Sequence, residues 1–341
     1  MAITSNSIDI LGVAVEPILE EVLFQNNTLG KGLVTFEDDV KAETIFTEAS
    51  ASATMQQYTS GAPTSDGDLS SWDAKVTPSK VLFYNEFDPE TLRFSRYKRS
   101  MSPSAWENFS TEFERIVIGG IYSSKVSLSA ERNFWLGATS ATKTAIAGLT
   151  AGAANNEIST EEQALVASSA IGADAQFDGL LTKILYNNSR AGNALSVGER
   201  LKVVGTTITS TNIKAEYDKI YAKIPAEVLE SGEMPTIYAP YSHKQLITIF
   251  NNNVANYKDA FAINGDSYGF NGLNIVFVPV PEKVVLCARK SHLFWVTDLV
   301  SDVNRMQMDK IANNQDKMFL KNVMSIGAHV GNQKFNVLYV G

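Results

Sequence analysis

Few side chains in this sequence could carry out a reaction, and their spacing argues against each familiar one. There are three histidines, His243, His292 and His329, with no HExxH and no pair spaced to hold a metal on one helical face. His243 falls one residue into an expected helix, His292 in a hairpin turn and His329 in a strand, so surface or capping roles are expected for all of them. The acidic pairs Glu20-Glu21, Asp38-Asp39 and Glu161-Glu162 are adjacent, which turns their carboxylates apart on a strand and about 100° apart on a helix. Glycoside hydrolysis draws its carboxylates from separate elements, so these pairs read as solvated faces. No GxGxxG opens a helix after a strand, GxxxxGK[ST] is absent, and Gly30-Lys31-Gly32 lacks both the loop and the hydroxyl residue that phosphate binding needs. There is no GxSxG elbow. The single cysteine, Cys287, sits in the apolar run VVLCA, which excludes an intrachain disulfide and a thiolate zinc cluster and leaves a buried structural thiol. No catalytic, cofactor or metal site is expected.

Composition narrows the remaining classes. At 341 residues, 44% hydrophobic and 19% charged, the chain is globular and long enough for two lobes. Its 29 Lys and Arg against 37 Asp and Glu give a net charge of −8, the wrong sign for affinity built on neutralising phosphates. No apolar run reaches the roughly 18 residues of a membrane span, and MAITSNSIDILG lacks the basic start and apolar centre of a signal peptide. Folding in a reducing cytoplasm, without a membrane partner, is expected.

The elements that must position any site come next. Residues 1–35 read as an arm, with the apolar cluster PILEEVLF followed by the turn-rich QNNTLGKG. Residues 36–94 read as a long two-stranded excursion with a polar tip, SGAPTSDGDLSS, that is marginal unless it lies on a partner. Ser104 and Glu107 make a capping box, and Trp106, Phe109, Phe113, Ile116 and Val117 form one helical stripe that ends or bends at Gly119-Gly120. Residues 138–176, rich in Ala, Ser, Thr and Gly, read as short helices and loops that pack poorly as a core. FDGLLTKILYN is expected to be a short helix and RLKVVGTTIT a strand. An αβα unit follows: Asn212 as N-cap, Ile213, Tyr217, Ile220, Tyr221 and Ile224 on one face, a stop at Pro225, the strand MPTIYAP, and a helix capped by Ser242 with Gln245. Asn271-Gly272 is a hairpin turn signal, and LNIVFVPV, KVVLCA and HLFWVTD are spaced as successive strands. The run from Met318 to Tyr339 is strand-like with a kink near GAHVGN, and is expected to pair with the long helix's lobe.

This order of elements resembles the major capsid protein of tailed bacteriophages, whose fold is shared with encapsulins and the herpesvirus capsid floor. The likeness extends to ERNFWLGATSATKTAIAGLTAG after the long helix, FDGL at the entry to the next lobe, and NIKAEYDKIYAKIP with MPTIYAPYSHKQLITI in the αβα unit. It implies an α+β capsid fold: N-terminal arm 1–35, extended loop 36–94, peripheral domain with spine helix and connector 95–204, axial domain 205–300, and terminal strands 301–341 completing the peripheral domain. The implied function is self-assembly through pentamers and hexamers into an icosahedral or prolate shell around double-stranded DNA. The implied partners are further copies of the chain, a portal protein, separate scaffolding and decoration proteins, and DNA held without sequence-specific contact. The implied location is the virion capsid, assembled in the host bacterial cytoplasm. Some relatives of this fold join a loop lysine to a neighbour's asparagine, and Lys41, Lys75, Lys80, Asn313, Asn314 and Asn322 are of the required types. The alternatives are an encapsulin-like compartment, told apart by its lumenal cargo, and an α+β enzyme with a site of scattered residues, told apart by a soluble monomer.

Candidate intersubunit contacts follow from exposure. Ile18, Leu19, Val22, Leu23 and Phe24 form an apolar cluster with no local partner. Asp66, Asp68 and Asp73 lie toward the loop tip, and Arg93, Arg96, Lys98 and Arg99 in RFSRYKR lie near its base. That basic run interleaves aromatics as a nucleic-acid patch does, but it is short and placed at a strand-to-helix junction, where it also suits ion pairing with a neighbour's tip.

Overall fold

The computed structural model describes residues 8–10, 26–40, 44–51, 55–58, 60–61, 69–88, 122–150, 158–167, 176–187, 201–230, 232–253, 260–298, 305–311, 317–331 and 335–341. The apolar arm cluster 18–24, the capped stripe 104–117 and the basic run 93–99 lie outside the described residues.

The first half of the chain supplies β1 (Ile8–Ile10), the short α1 (Asn27–Gly30), β2 (Thr35–Glu37), β3 (Thr44–Ala51), β4 (Leu69–Val76) and β5 (Ser79–Phe87). Helices α2 (Ser123–Leu136), α3 (Ser140–Ala147), α4 (Thr160–Ala167) and α5 (Leu180–Asn187) follow. Then come β6 (Lys202–Val204), α6 (Ile213–Ala222), α7 (Ala226–Glu230), β7 (Thr236–Pro240) and α8 (Tyr241–Asn253). The last part holds β8 (Phe261–Asn264), β9 (Ser267–Phe270), β10 (Leu273–Val278), β11 (Val284–Ala288), β12 (Leu293–Val296), β13 (Arg305–Lys310), β14 (Met318–Val330) and β15 (Val337–Val340).

The fold is α+β. A six-stranded sheet runs β1-β13-β14-β12-β2, with β5 also on β14, and a seven-stranded sheet runs β6-β15-β11-β7-β10-β9-β8. The seven-stranded sheet is a middle layer. Along β11, Val284, Leu286 and Ala288 join one core with α2, α5 and the six-stranded sheet, while Val285 and Cys287 join a second core with α6 and α8. Both faces of β11 are therefore apolar, which is why VVLCA shows no alternation.

Sequence spacing suggested that the strands from Leu273 onward pair in succession. Only the Asn271-Gly272 turn does so: its φ values of 48° and 85° suit a tight hairpin, and β9 pairs antiparallel with β10. Beyond it β7 is inserted, parallel to β10 and antiparallel to β11, while β12 leaves for the other sheet. The terminal run divides as well. β14 pairs with β13, β5 and β12, and β15 enters the seven-stranded sheet between β11 and β6.

The small-residue connector packs better than its composition suggested: Ile146, Ile158 and Val166 are buried in the first core. Its ends are fastened by polar side chains. Asp178 accepts from the Thr139 amide and the Thr142 hydroxyl, and Ser159 with Glu162 forms a reciprocal capping box at α4. Two expected caps differ. Asn212 turns its side-chain oxygen back to the Thr209 amide, and Ser242 lies inside the first turn of α8 with its Oγ unpaired.

Residues 26–37 are pinned to both layers. Asn26 caps α1 through the Leu29 amide, and Thr28 donates both its amide (2.9 Å) and its hydroxyl (2.6 Å) to the buried Glu131 of α2 while accepting from Trp135 Nε1 at 2.9 Å. Asn27 donates to the Tyr241 hydroxyl, Tyr238 donates to the Leu33 carbonyl, and β2 runs parallel to β12.

Candidate functional site

Two of the three histidines and the single cysteine are buried in the fold. His243 is 1% exposed, so the surface role expected for it is wrong. It lies on the inward face of α8, with Nδ1 3.0 Å from the Tyr217 hydroxyl and Nε2 3.2 Å from the Glu282 carbonyl. Burial pushes its pKa down to about 4, against the opposing pull of the Glu282 carbonyl, so the ring is neutral and donates from Nε2. Burial likewise holds the Tyr217 hydroxyl far above its usual value, and it donates to Nδ1. His329 is also interior, at 5% exposure on β14, because the strand turns that residue toward β3 and β12. His292 sits half-buried in a 3-10 turn, stacked on Phe335. Burial pushes the Cys287 thiol up to about 12, as suits an inert structural residue.

The acidic pairs part company. Asp38, Asp39 and Glu161 are exposed, whereas Glu162 is fully buried and receives the Lys202 ammonium. Glu216 is another interior carboxylate, in addition to Glu131 and Glu162. Burial acts to raise its pKa, but hydrogen bonds from Lys219, Tyr339 and Thr206 outweigh that and hold it below the usual range. Among the described residues, no group of three His, Cys, Asp or Glu could hold a metal ion, and no helix is long and apolar enough to cross a membrane.

One cleft of about 1130 Å³ opens between α2, α4 and the loop 279–283. Its walls are largely apolar, with Leu136, Leu165, Pro240 and Val280 prominent, and Arg132, Glu161, Glu282 and Lys283 stand at the polar positions.

The remaining feature is a ribbon. β3 and β4 pair from Thr44↔Val76 to Ala51↔Leu69 as a separate two-stranded sheet. The return strand expected over 72–87 is divided: its first part pairs with β3 in this ribbon, and β5 (Ser79–Phe87) pairs with β14 of the body instead. Beyond it Met55 is 102% and Tyr58 91% exposed, and Ile45 is 53% exposed on the ribbon itself. The root is anchored. Phe46 stacks on His329 with ring centroids 4.8 Å apart and lies 5.2 Å from Phe294, above a small core of Val40, Val76 and Val296.

Of the expected contact residues, Asp73 lies on β4 opposite Thr47. Ile18, Leu19, Val22, Leu23, Phe24, Asp66, Asp68, Arg93, Arg96, Lys98 and Arg99 lie outside the described residues. Lys75 and Lys80 are exposed, but Asn322 is fully buried in β14; Lys41, Asn313 and Asn314 are outside the described residues. Sequence reasoning missed the anchor. Its only local signal was Phe46 beside Ile45 in an otherwise polar strand, and its partners lie more than two hundred residues away.

No family model and no curated protein matches the chain. Solved structures do match along its whole length. A chain of the satellite phage P4 procapsid including size determination protein superposes with a TM-score of 0.54 and 12% identity, covering 98% of this chain and 93% of that one. A chain of the capsid of a native GTA particle gives 0.53 and 10% identity over 100% of this chain and 95% of that one. The capsid of the empty GTA particle gives 0.52 at 10% identity, covering 100% and 96%. The chain has the fold of phage capsid proteins. At such identities the likeness rests on backbone course rather than on shared side chains.

Proposed function

We propose that the chain is a major capsid protein that self-assembles, through pentamers and hexamers, into the closed shell of a tailed bacteriophage around double-stranded DNA. The observation that carries this reading is the chain-long agreement in backbone course with chains taken from assembled particles. It is supported by the exposed apolar side chains of Met55 and Tyr58, beyond the end of β3, since such side chains gain their burial from neighbours. The net charge of −8 suits a wall that confines DNA without adsorbing it. A portal protein, separate scaffolding and decoration proteins, and assembly in the host cytoplasm belong to the same reading. So does the absence of catalysis on a diffusible substrate.

Negative-stain microscopy with sedimentation of the purified chain tests it. Closed particles of megadalton mass are expected, and a soluble monomer at high concentration would sink the proposal. Particles that contain a cargo protein instead of DNA would move the reading to an encapsulin-like compartment. Boiling the particles in SDS addresses self-directed chemistry: a single band near 37.2 kDa is expected, since Asn322 is buried within its own strand.

A further inference from the structure

We propose that Asn264 is a self-modifying site, where attack by the Gly265 backbone nitrogen expels the side-chain amide as ammonia and rebuilds the end of β8 as isoaspartate. The sequence holds two Asn-Gly dipeptides, Asn264-Gly265 and Asn271-Gly272, one at the turn of each hairpin, β8-β9 and β9-β10. All four residues are exposed. The two turns use the dipeptide in different registers. Asn271 and Gly272 both lie inside their loop, with φ values of 48° and 85°. In the other hairpin the loop is Gly265-Asp266, so Asn264 is the last residue of β8, paired with Ser267, and the positive φ of 61° falls on Gly265.

The reaction closes a five-membered ring. The Gly265 nitrogen gives its proton to water and bonds to Asn264 Cγ, the bond from Cγ to the side-chain nitrogen breaks, and that nitrogen takes a proton from water and leaves as ammonia. Water then opens the succinimide. Cleavage at Cγ gives aspartate, and cleavage at the main-chain carbonyl gives isoaspartate, whose backbone is one methylene longer; nothing is oxidised or reduced. Gly265 has no Cβ to obstruct the approach, and the space where one would stand is open, with nothing within 4 Å. Closure needs the nitrogen alongside the side chain, which is roughly a quarter turn about Cα–C from the ψ of a strand and close to half a turn from that of a left-handed loop residue. At positive φ the required ψ is open essentially to glycine, so its turn protects Asn271. β8 is the last strand of the seven-stranded sheet, and β9 is its neighbour there. A methylene added at its end displaces the Asn264↔Ser267 and Ile263↔Tyr268 pairs, while Phe261 at the other end of this four-residue strand is 1% exposed against Tyr217 and Phe250 of the second core. Modification therefore loosens this edge and the aromatic cluster beneath it.

Ageing the purified full chain at mildly alkaline pH in heavy-oxygen water, followed by peptide mapping that separates isoaspartate from aspartate, tests the site. Residue 264 is expected to convert about tenfold or more faster than residue 271, the size of the strain a non-glycine residue bears in reaching the ring from positive φ. Isoaspartate is the expected main product. The chain unfolded in guanidinium is the reference, in which the two dipeptides convert alike. Equal rates in the folded chain, a faster Asn271, or an intact Asn264 over the time in which the unfolded chain converts overturns the proposal. Hydrogen exchange of the aged chain reads the consequence: amides of 261–264 are expected to lose protection while those of β7 and β11 keep it. Asn264→Gln, whose longer side chain closes its ring slowly, is expected to age without that loss, and an equal loss in the variant overturns the link between modification and loosening. Should the variant fail to fold, the site-resolved rates in the native chain decide.

Discussion

The Lys202 ammonium on β6 donates to the carboxylate of Glu162, whose side chain is 0% exposed at the start of α4. The pair ties the connector helices to the edge of the seven-stranded sheet. Removing one member strands a buried charge, for which losses of about 3–5 kcal/mol are usual, while replacing both with apolar or neutral groups is far milder. Lys202→Met is therefore expected to lower the urea midpoint strongly, and Lys202→Met with Glu162→Gln to recover most of it. A double variant no more stable than the single one would refute the coupling.

Acid should weaken the fold through His243. Its folded pKa, pushed down to about 4, lies below the ordinary value of 6.5, so the unfolded chain binds the proton first. The stability this residue contributes is fully present above pH 6.5 and is lost as pH falls toward 4. The loss amounts to about 3 kcal/mol, taking roughly 1.4 kcal/mol per pKa unit. Urea melts at pH 7.5 and 4.5 measure it, and His243→Gln should flatten the difference by that amount. An unchanged pH slope in the variant would mean that other groups dominate.

At Gly179 the chain crosses the end of α2 so closely that a Cβ would lie 2.7 Å from the carbonyl oxygens of Asn133 and Phe134. Backbone cannot swing aside as a side chain can. Gly179→Ala is expected to cost about 1–3 kcal/mol and to drop the melting temperature by several degrees. Gly232→Ala, with nothing within 4 Å of its added carbon, is the control and should melt like the native chain.

Deletion of residues 1–25 is expected to leave a folded chain that assembles poorly, because the apolar run 18–24 is removed while Asn26, Thr28 and Leu29 stay in place. Extending the deletion to residue 30 removes the buried Thr28 and Leu29 and leaves Glu131 and Trp135 without their partner. A further loss on the order of 3 kcal/mol should follow from the lost burial and the orphaned carboxylate. Circular dichroism melts of the two truncations compare them, and equal stability would contradict the anchoring role of residues 26–30.

Charge reversal at Arg96 and Arg99 is expected to weaken assembly, and simultaneous reversal of Asp66, Asp68 and Asp73 to restore part of it. Each exposed pair is worth only about 0–1 kcal/mol, but a closed ring repeats the contact at every interface. Light scattering at low and high salt reads the effect. If the combined reversal assembles no better than the arginine variant, the proposed pairing of loop tip with basic run is wrong.

The features legible in the sequence are those set by neighbours along the chain. Asn271-Gly272 forms its hairpin because the turn needs positive φ at both positions. The Ser159–Glu162 cap of α4 is not legible in the same way, because Glu162 beside Glu161 reads as a solvated face. The helical face of Ile213, Tyr217 and Ile220 is buried as its spacing predicts, and the ribbon's strands pair across their polar tip. Tertiary structure alone decided which strands meet. Nothing local to Thr236–Pro240 says that β7 will slip between β10 and β11, or that β14 will serve three partners, since those choices depend on which faces are left to bury once the layers stack. The same reason hid the histidines. A polar ring in an apolar strand or helix reads as exposed until a distant Tyr217, or a Phe46 arriving from the ribbon, supplies the surface that takes it out of water.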